Sequence, residues 1–279
     1  MSSELRLRLI SGVILAALVL LATWAGGLSF RLLAAIIGLL IYYEWSTITG
    51  IARNVTDRFS TIFGWVCVGM VALEVAFRSI ETATVLLVGF TLVAIVVNLV
   101  RRKSMWLPAG VFYAGLSAVS LAALRGVGND GLITILFIFA IVWSTDILAY
   151  FVGRAIGGPK LAPAISPGKT WSGAIGGTVS GILAGVLVVY FAGESLSPWH
   201  GLIAAVLSVG SQIGDLFESW IKRRFGVKDS SRLIPGHGGV MDRVDGLVAA
   251  CFIAFIGGLI LAAANGSLLA GANSIVTGP

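Results

Sequence analysis

Apolar residues run along the chain in long, unbroken stretches that are separated by short polar segments. A helix needs about 20 mostly apolar residues to cross a bilayer, and these stretches have that length. They do not alternate between apolar and polar positions, so they do not indicate the strands of a membrane barrel. The pattern predicts nine membrane-spanning helices, at residues 8–24, 31–49, 61–77, 83–100, 107–124, 131–153, 172–193, 201–225 and 246–264.

The composition supports an all-α polytopic membrane protein. Hydrophobic residues make up 57% of the 279-residue chain and charged residues 11%, whereas a soluble domain has about 45–50% apolar and about 25% charged residues. The first apolar run is followed by many others, so it is predicted to be a membrane span rather than a cleaved signal peptide. Cys67 and Cys251 are isolated in apolar runs, which indicates buried small side chains rather than a disulfide or a metal site.

Basic residues sort to one side of the predicted spans. With nine spans, all but three of the 19 lysines and arginines fall on the side that holds the N-terminus. The positive-inside rule makes that side cytoplasmic, with the N-terminus inside and the C-terminus outside. Because this sorting accounts for the net charge of +6, the charge does not indicate a nucleic-acid partner.

Two regions are predicted along the chain. Residues 1–130 hold about five helices, which form a scaffold and a candidate dimerisation region. Residues 131–279 hold about four helices, which carry the chemistry. Two polar loops, 154–171 and 226–241, are long enough to carry function, and both lie on the predicted cytoplasmic side.

Carboxylates gather at one depth of the predicted membrane region. Ionisable groups in spans are costly and usually face a protein interior or a wet cavity. These carboxylates lie in the cytoplasmic halves of their spans or at the start of the ninth span, so a polar cavity open to the cytoplasm is expected. They are Glu44, Asp146, Asp215, Glu218, Asp242 and Asp245.

The eighth span carries a polar stripe. At about 100° per residue, six polar side chains share an arc of about 100° on an otherwise apolar helix. Small polar residues in spans often serve only hydrogen bonds between helices, but that does not account for two carboxylates and a lysine on one face. The six residues are Ser208, Ser211, Asp215, Glu218, Ser219 and Lys222.

The residue types around this stripe indicate a phosphate site with a metal. Carboxylate oxygens suit Mg²⁺, which proteins hold through one or two carboxylates plus substrate phosphates. Gly236, Gly238 and Gly239 leave backbone N–H groups able to approach an anion. Neighbouring cations suit phosphate oxygens. These cations are Lys222, Arg223, Lys228 and Arg243.

Simpler structural roles stay open for several of these residues. Asp242 and Asp245 could be an N-cap pair for the ninth span. Arg223 and Arg224 could be topogenic charges alone. His237 could order its loop without touching a substrate.

The residues from Ser219 to Gly246, SWIKRRFGVKDSSRLIPGHGGVMDRVDG, resemble the signature of the CDP-diacylglycerol synthase (phosphatidate cytidylyltransferase) family. The shared elements are a serine, Lys-Arg, Lys-Asp, His-Gly-Gly and Asp-Arg-x-Asp at these spacings. The GDLFES run at 214–219, the SPGKTWSGAIGG run at 166–177 and the sixth span from Asp146 to Gly153 also fit. Ser172 departs from the pattern, because many members carry Glu or Gln there. The resemblance is strongest over residues 140–250.

The resemblance implies a reaction. The phosphate of phosphatidic acid attacks the α-phosphorus of CTP, which gives CDP-diacylglycerol and pyrophosphate. It also implies Mg²⁺, with a second cation such as K⁺, held by Asp215 and Asp242 with support from Glu218.

Roles for the other residues follow from the same resemblance. Ser219, Lys222 and Asp245 are the expected catalytic residues. Instead of binding a substrate, Lys169 and Thr170 could simply belong to a cationic surface loop. Asp146 and Tyr150 could likewise serve a structural hydrogen bond within the helix bundle. Residues expected to bind the substrates are Lys169, Thr170, Arg223, Lys228, Asp229, His237, Gly238, Gly239, Arg243, Asp146 and Tyr150.

The implied partners are CTP from the cytoplasm and phosphatidic acid from the bilayer. The implied location is the bacterial cytoplasmic (inner) membrane with the active site facing the cytoplasm, and the resemblance also implies a homodimer.

Two other functions stay open. A CTP-dependent kinase of a polyprenyl or phytyl alcohol would transfer the γ-phosphoryl group, and the full pattern at 219–245 argues against it. An ion-coupled transporter would use Asp146, Asp215 and Glu218 as a relay. The outer halves of most spans are apolar, with Glu74 near the outer end of the third span as the exception, and this one-sided placement argues against a transporter.

Overall fold

The computed structural model describes residues 3–53 and 56–264. Helices dominate this part of the chain, as the apolar pattern predicts. The elements are α1 Ser3–Ala25, α2 Gly27–Ile48, α3 Arg58–Phe77, α4 Ile80–Val100, α5 Trp106–Arg125, α6 Gly128–Ile156, β1 Lys160–Ala162, β2 Ser166–Thr170, α7 Trp171–Phe191, α8 Pro198–Arg224 and α9 Met241–Ala264.

The all-α polytopic architecture is confirmed. Eight helices of the described chain, α2 to α9, are long and apolar enough to cross a membrane. The first helix is the exception, since its described apolar part, Ile10–Ala25, is shorter.

Two elements differ from the predicted pattern. The 154–171 loop contains an antiparallel hairpin in which Lys160 pairs with Thr170 and Ala162 with Ser166. Hydropathy does not detect it, because its strands have only 3 and 5 residues and no sustained apolar face. Helix α9 begins at Met241 rather than 246, so Asp242 and Asp245 lie inside its first turns.

The chain divides into two compact units. Unit 1 combines α1 to α4 and α5 as far as Ala123 with the segment Phe225–Arg243. Unit 2 combines α6, the hairpin, α7 and α8 with α9 from Val244 onward.

Unit 1 is built around α5. The most apolar window of α5 is 78% buried, against 22% for α4. Trp45 anchors α2 to it: its indole Nε1 donates to the carbonyl of Trp106 at 2.9 Å, and its ring stacks on Tyr113 at 5.4 Å between centroids. Gly110 leaves room for that ring, because a Cβ at this position would overlap it.

Unit 2 depends on close helix contacts at small residues. A Cβ at Gly177 of α7 would lie 2.8 Å from the carbonyl oxygen of Thr145 in α6. Such small residues let membrane helices approach until backbone and polar groups meet. Thr145 Oγ1 then reaches Ser208 Oγ of α8 at 2.8 Å. A Cβ at Gly214 would lie 2.9 Å from the Asp245 carbonyl, so α8 and α9 touch beside Asp215.

Candidate active site

A cluster of carboxylates forms in unit 2 where α8 and α9 touch. The Asp245 carboxyl interacts electrostatically with those of Glu218, Asp215 and Asp146. Neighbouring carboxyl groups repel each other unless a proton or a cation lies between them. We call Asp146, Asp215, Glu218 and Asp245 the carboxylate cluster.

Two lysines supply counter-charges to this cluster. Lys169 Nζ lies 2.5 Å from Asp215 Oδ2, and Lys222 Nζ lies 3.1 Å from Glu218 Oε1 one helical turn away. The Glu218 side chain is only 1% exposed and that of Lys222 11%, so this pair is removed from solvent. Asp215 is 31% exposed and stays accessible to a ligand.

The hairpin determines where Lys169 lies. Strand β2 ends at Thr170, whose hydroxyl accepts a hydrogen bond from Gly173 N at 3.1 Å and caps α7. Ser172 Oγ donates to the carbonyl of Gly157 and lies 3.1 Å from Thr170 Oγ1. Thr170 and Ser172 therefore hold the strand that presents Lys169 to Asp215.

Ser219 has a weaker link to the cluster, and Tyr150 bonds to Arg154 instead. Ser219 Oγ donates to Asp215 Oδ1 at 3.4 Å, a long contact. Tyr150 is 59% exposed, and its hydroxyl accepts from Arg154 Nη1 at 2.8 Å. Asp146, in contrast, interacts with Asp215 and Lys169.

Residues 226–240, which we call the signature loop, belong to unit 1 and fold around two carboxylates. Asp242 Oδ2 accepts from Ser230 N at 2.9 Å, from Ser230 Oγ at 2.8 Å and from Gly239 N at 2.8 Å. The Gly239 amide is therefore used inside the loop.

Glu44 of α2 is the second carboxylate, and it is fully buried. Its Oε1 accepts from Ser231 Oγ at 2.6 Å and from Val240 N at 2.8 Å. Its Oε2 accepts from Met241 N at 2.7 Å and lies 3.0 Å from Ser230 Oγ. The first amides of α9 thus bond to Glu44, whereas Asp242 and Asp245 lie past the N-cap position. The sequence placed Glu44 only among the carboxylates that predict a cytoplasmic cavity and gave it no specific role; its signal was a carboxylate inside an apolar helix.

His237 is held by the same loop and by α1. Its Nδ1 lies 2.9 Å from Ser11 Oγ, and its carbonyl accepts from Arg243 Nε at 3.1 Å. Gly238 has φ of 84°, a region that glycine adopts readily and other residues rarely. The remaining predicted contacts to substrate, Arg223, Lys228 and Asp229, are exposed.

The donor set fits a hard divalent cation. Within the described residues, no three His, Cys, Asp or Glu side chains converge into a preformed metal site. Mg²⁺ does not need one, because it is commonly held by one or two carboxylates with substrate phosphates and water completing the shell. The cluster around Asp215 offers carboxylate oxygens of that kind, in a region where several carboxyl groups interact electrostatically.

Proteins named phosphatidate cytidylyltransferase are similar to this chain. The protein of Brucella abortus (strain 2308) is 46% identical over 263 residues, which cover 93% of this chain and 95% of that protein. The one from Haemophilus influenzae is 44% identical over 144 residues, 50% of each chain. The one from Staphylococcus aureus (strain COL) is 43% identical over 136 residues, 48% of this chain and 51% of that protein.

A sequence model of the Cytidylyltransferase family matches residues 6–261. This match covers nearly all of the chain, including both the carboxylate cluster and the signature loop. The chain therefore belongs to the cytidylyltransferase family.

Proposed function

We propose that this membrane protein transfers the cytidylyl group of CTP to phosphatidic acid. A phosphate oxygen of the lipid forms a bond to the α-phosphorus of CTP. The bond from that phosphorus to the bridging oxygen breaks, and pyrophosphate leaves with the electron pair. The products are CDP-diacylglycerol and pyrophosphate.

The observation that carries this proposal is the carboxylate cluster with its two lysines at the α8–α9 contact. Both reactants are anions, so the site must offset their repulsion and align nucleophile with leaving group. Lys222, paired with the buried Glu218, provides a fixed positive charge. Lys169 is paired with the more accessible Asp215 and can exchange this carboxylate for a phosphate oxygen.

Mg²⁺ belongs to the proposal as well, and when bound it would neutralise phosphate charge and polarise the reacting phosphorus. Asp215 is its proposed ligand in the cluster, with support from Glu218, and the expected sharing with Asp242 stays a prediction. A second cation such as K⁺ and a homodimer also stay predictions. We further propose that the site faces the cytoplasm of a bacterial inner membrane, which the sorting of basic residues supports.

The position of a radiolabel in CTP tests the reaction. Purified protein in phosphatidic acid-containing micelles should move label from the α-phosphorus, but not from the γ-phosphorus, into a lipid-soluble product. Label from the γ-phosphorus in lipid would instead indicate an alcohol kinase or a contaminant. No lipid-soluble label from either position would contradict the proposed function.

A further inference from the structure

Glu44 lies in α2, far along the chain from the signature loop, yet it bonds to both ends of that loop. Ser230 and Ser231 precede the His-Gly-Gly motif, and Val240 and Met241 follow it. Ser231 Oγ, Val240 N and Met241 N donate to the Glu44 carboxylate at 2.6–2.8 Å, and Ser230 Oγ lies 3.0 Å from it. One side chain thus ties the loop at two points on either side of His237.

The arrangement requires a carboxylate. Each Glu44 oxygen accepts one backbone N–H, from Val240 on Oε1 and from Met241 on Oε2. A backbone N–H can only donate, so an amide NH₂ in place of either oxygen would face another donor. The two amides also belong to the N-terminal end of α9, where the helix dipole favours a negative charge.

The position of Glu44 also explains why residue 239, the last of the His-Gly-Gly motif, is a glycine. A Cβ at Gly239 would overlap both Glu44 Oε1 and Ser230 Oγ. The loop can therefore close on Glu44 only if residue 239 has no side chain.

The Ser230 hydroxyl lies between the carboxylates of Glu44 and Asp242 and links them. Ser230 Oγ lies 3.0 Å from Glu44 Oε2 and 2.8 Å from Asp242 Oδ2. The Ser230 amide and the Gly239 amide bond to the same Asp242 oxygen. Movement of Glu44 would therefore move the groups that orient Asp242.

We propose that Glu44 is a positioning residue for cytidylyl transfer: it holds the signature loop so that Asp242 and His237 keep their orientation, without touching a substrate. This inference rests on the proposed function. Residues that orient functional carboxylates typically contribute about 10–100-fold to activity.

Glu44→Gln tests the proposal, and Glu74→Gln is the matched control. Glu74 is another carboxylate in a membrane helix of unit 1, but it pairs with Arg78 at 3.8 Å. In the full-length protein, Glu44→Gln should lower kcat by about 10–100-fold. It should also speed tryptic cleavage after Lys228 and Arg232, because the loop opens locally more often. Glu74→Gln should leave both measurements as in wild type.

Wild-type turnover separates this test from the proposed function. If wild type makes no lipid-linked cytidine, the proposed reaction fails. If wild type is active and Glu44→Gln matches it in kcat, the positioning role is overturned, whatever the cleavage rate. If Glu44→Gln does not fold, the Ser231→Ala variant replaces it, because Ser231 Oγ donates to Glu44 and its removal leaves the direct contact of Ser230 with Asp242 in place. Loss of kcat with retained folding supports the proposal, and wild-type kcat overturns it.

Discussion

Glu218 is a buried carboxylate in the last third of the membrane-spanning helix α8, and its counter-charge is Lys222 one turn later. A buried ion pair adds little stability by itself, but removing one partner leaves an isolated charge in a medium of low dielectric constant. Stability and activity can therefore be separated at this pair.

We expect Lys222→Met to lower the free energy of unfolding by about 3–5 kcal/mol and to reduce turnover. The double variant Glu218→Gln/Lys222→Met should regain most of the stability, because it holds no uncompensated charge, and should stay inactive. Thermal unfolding in detergent and the lipid-linked cytidine assay measure the two effects. An active double variant would exclude Lys222 from the reaction.

Gly239→Ala should be destabilising by about 1–3 kcal/mol, the usual effect of overpacking, because its Cβ would overlap Ser230 and Glu44. Gly69 of α3 is the control, since a Cβ there meets nothing within 4 Å. Gly69→Ala should be neutral or slightly stabilising. Unfolding curves measure the stability of the two variants. Equal stabilities would show that the loop does not close on Glu44.

Single residues differ in how far the sequence predicts them. The helical stripe places Asp215, Glu218 and Lys222 on one face from spacing alone, and the structure groups them with Asp245 and Lys169. Glu44 was missed as a loop anchor because its partners lie nearly two hundred positions away, and no local pattern reports such a contact.

At the scale of elements, α7 shows how helix packing positions strand β2, which carries Lys169. Its glycines 173, 177, 181 and 185 are buried, and a Cβ at Gly177 would meet Thr145 and Ala149 of α6. Since α7 begins directly after the hairpin, a shift of this helix moves Lys169.

We expect Gly177→Val to force α7 away from α6 and lower stability by about 1–3 kcal/mol, with loss of turnover. Gly89→Val in α4 is a control of the same size, because a Cβ there meets nothing within 4 Å. The two variants are compared by thermal unfolding and by initial rates. A stable, active Gly177→Val would show that the close α6–α7 contact is dispensable.

A second element-scale prediction concerns the ion pair between Asp57, which precedes α3, and Arg101, which follows α4. Burial alone would raise the pKa of Asp57, but hydrogen bonds from Arg101 and Ser60 outweigh it and lower the pKa to about 2. A lowered carboxylate pKa stabilises the fold above its ordinary value of 3.8, and this contribution is lost as the pH falls toward 2. Asp57→Asn should therefore flatten the loss of stability between about pH 4 and pH 2, measured as unfolding temperature against pH. If the unfolding temperature of Asp57→Asn depends on pH as in wild type, the Asp57–Arg101 ion pair is not the source of the stability lost at low pH.

Elements are predictable where hydropathy is sustained. The spans follow from runs of about 20 apolar residues, and the structure has helices at all nine predicted positions within its described residues. The hairpin at 160–170 and the early start of α9 were not predicted. The hairpin depends on cross-strand pairing, and the α9 start depends on Glu44 receiving the first amides.

For the whole molecule, membership in the cytidylyltransferase family and the carboxylate cluster support one account of function. In the proposed reaction, an anionic lipid from the bilayer and a nucleotide from water meet at this cluster, where Lys169 and Lys222 are paired with carboxylates. The account depends on Asp215, the cluster carboxylate that is both accessible and paired with Lys169.

The most direct test compares Asp215→Asn with Asp130→Asn, a control in α6 of the same unit whose side chain is exposed. Transfer of label from the α-phosphorus of CTP to phosphatidic acid is measured for folded protein at saturating Mg²⁺. We predict that Asp215→Asn loses at least about a hundredfold in rate, while Asp130→Asn keeps the wild-type rate. A loss of only a few-fold in Asp215→Asn would contradict the account.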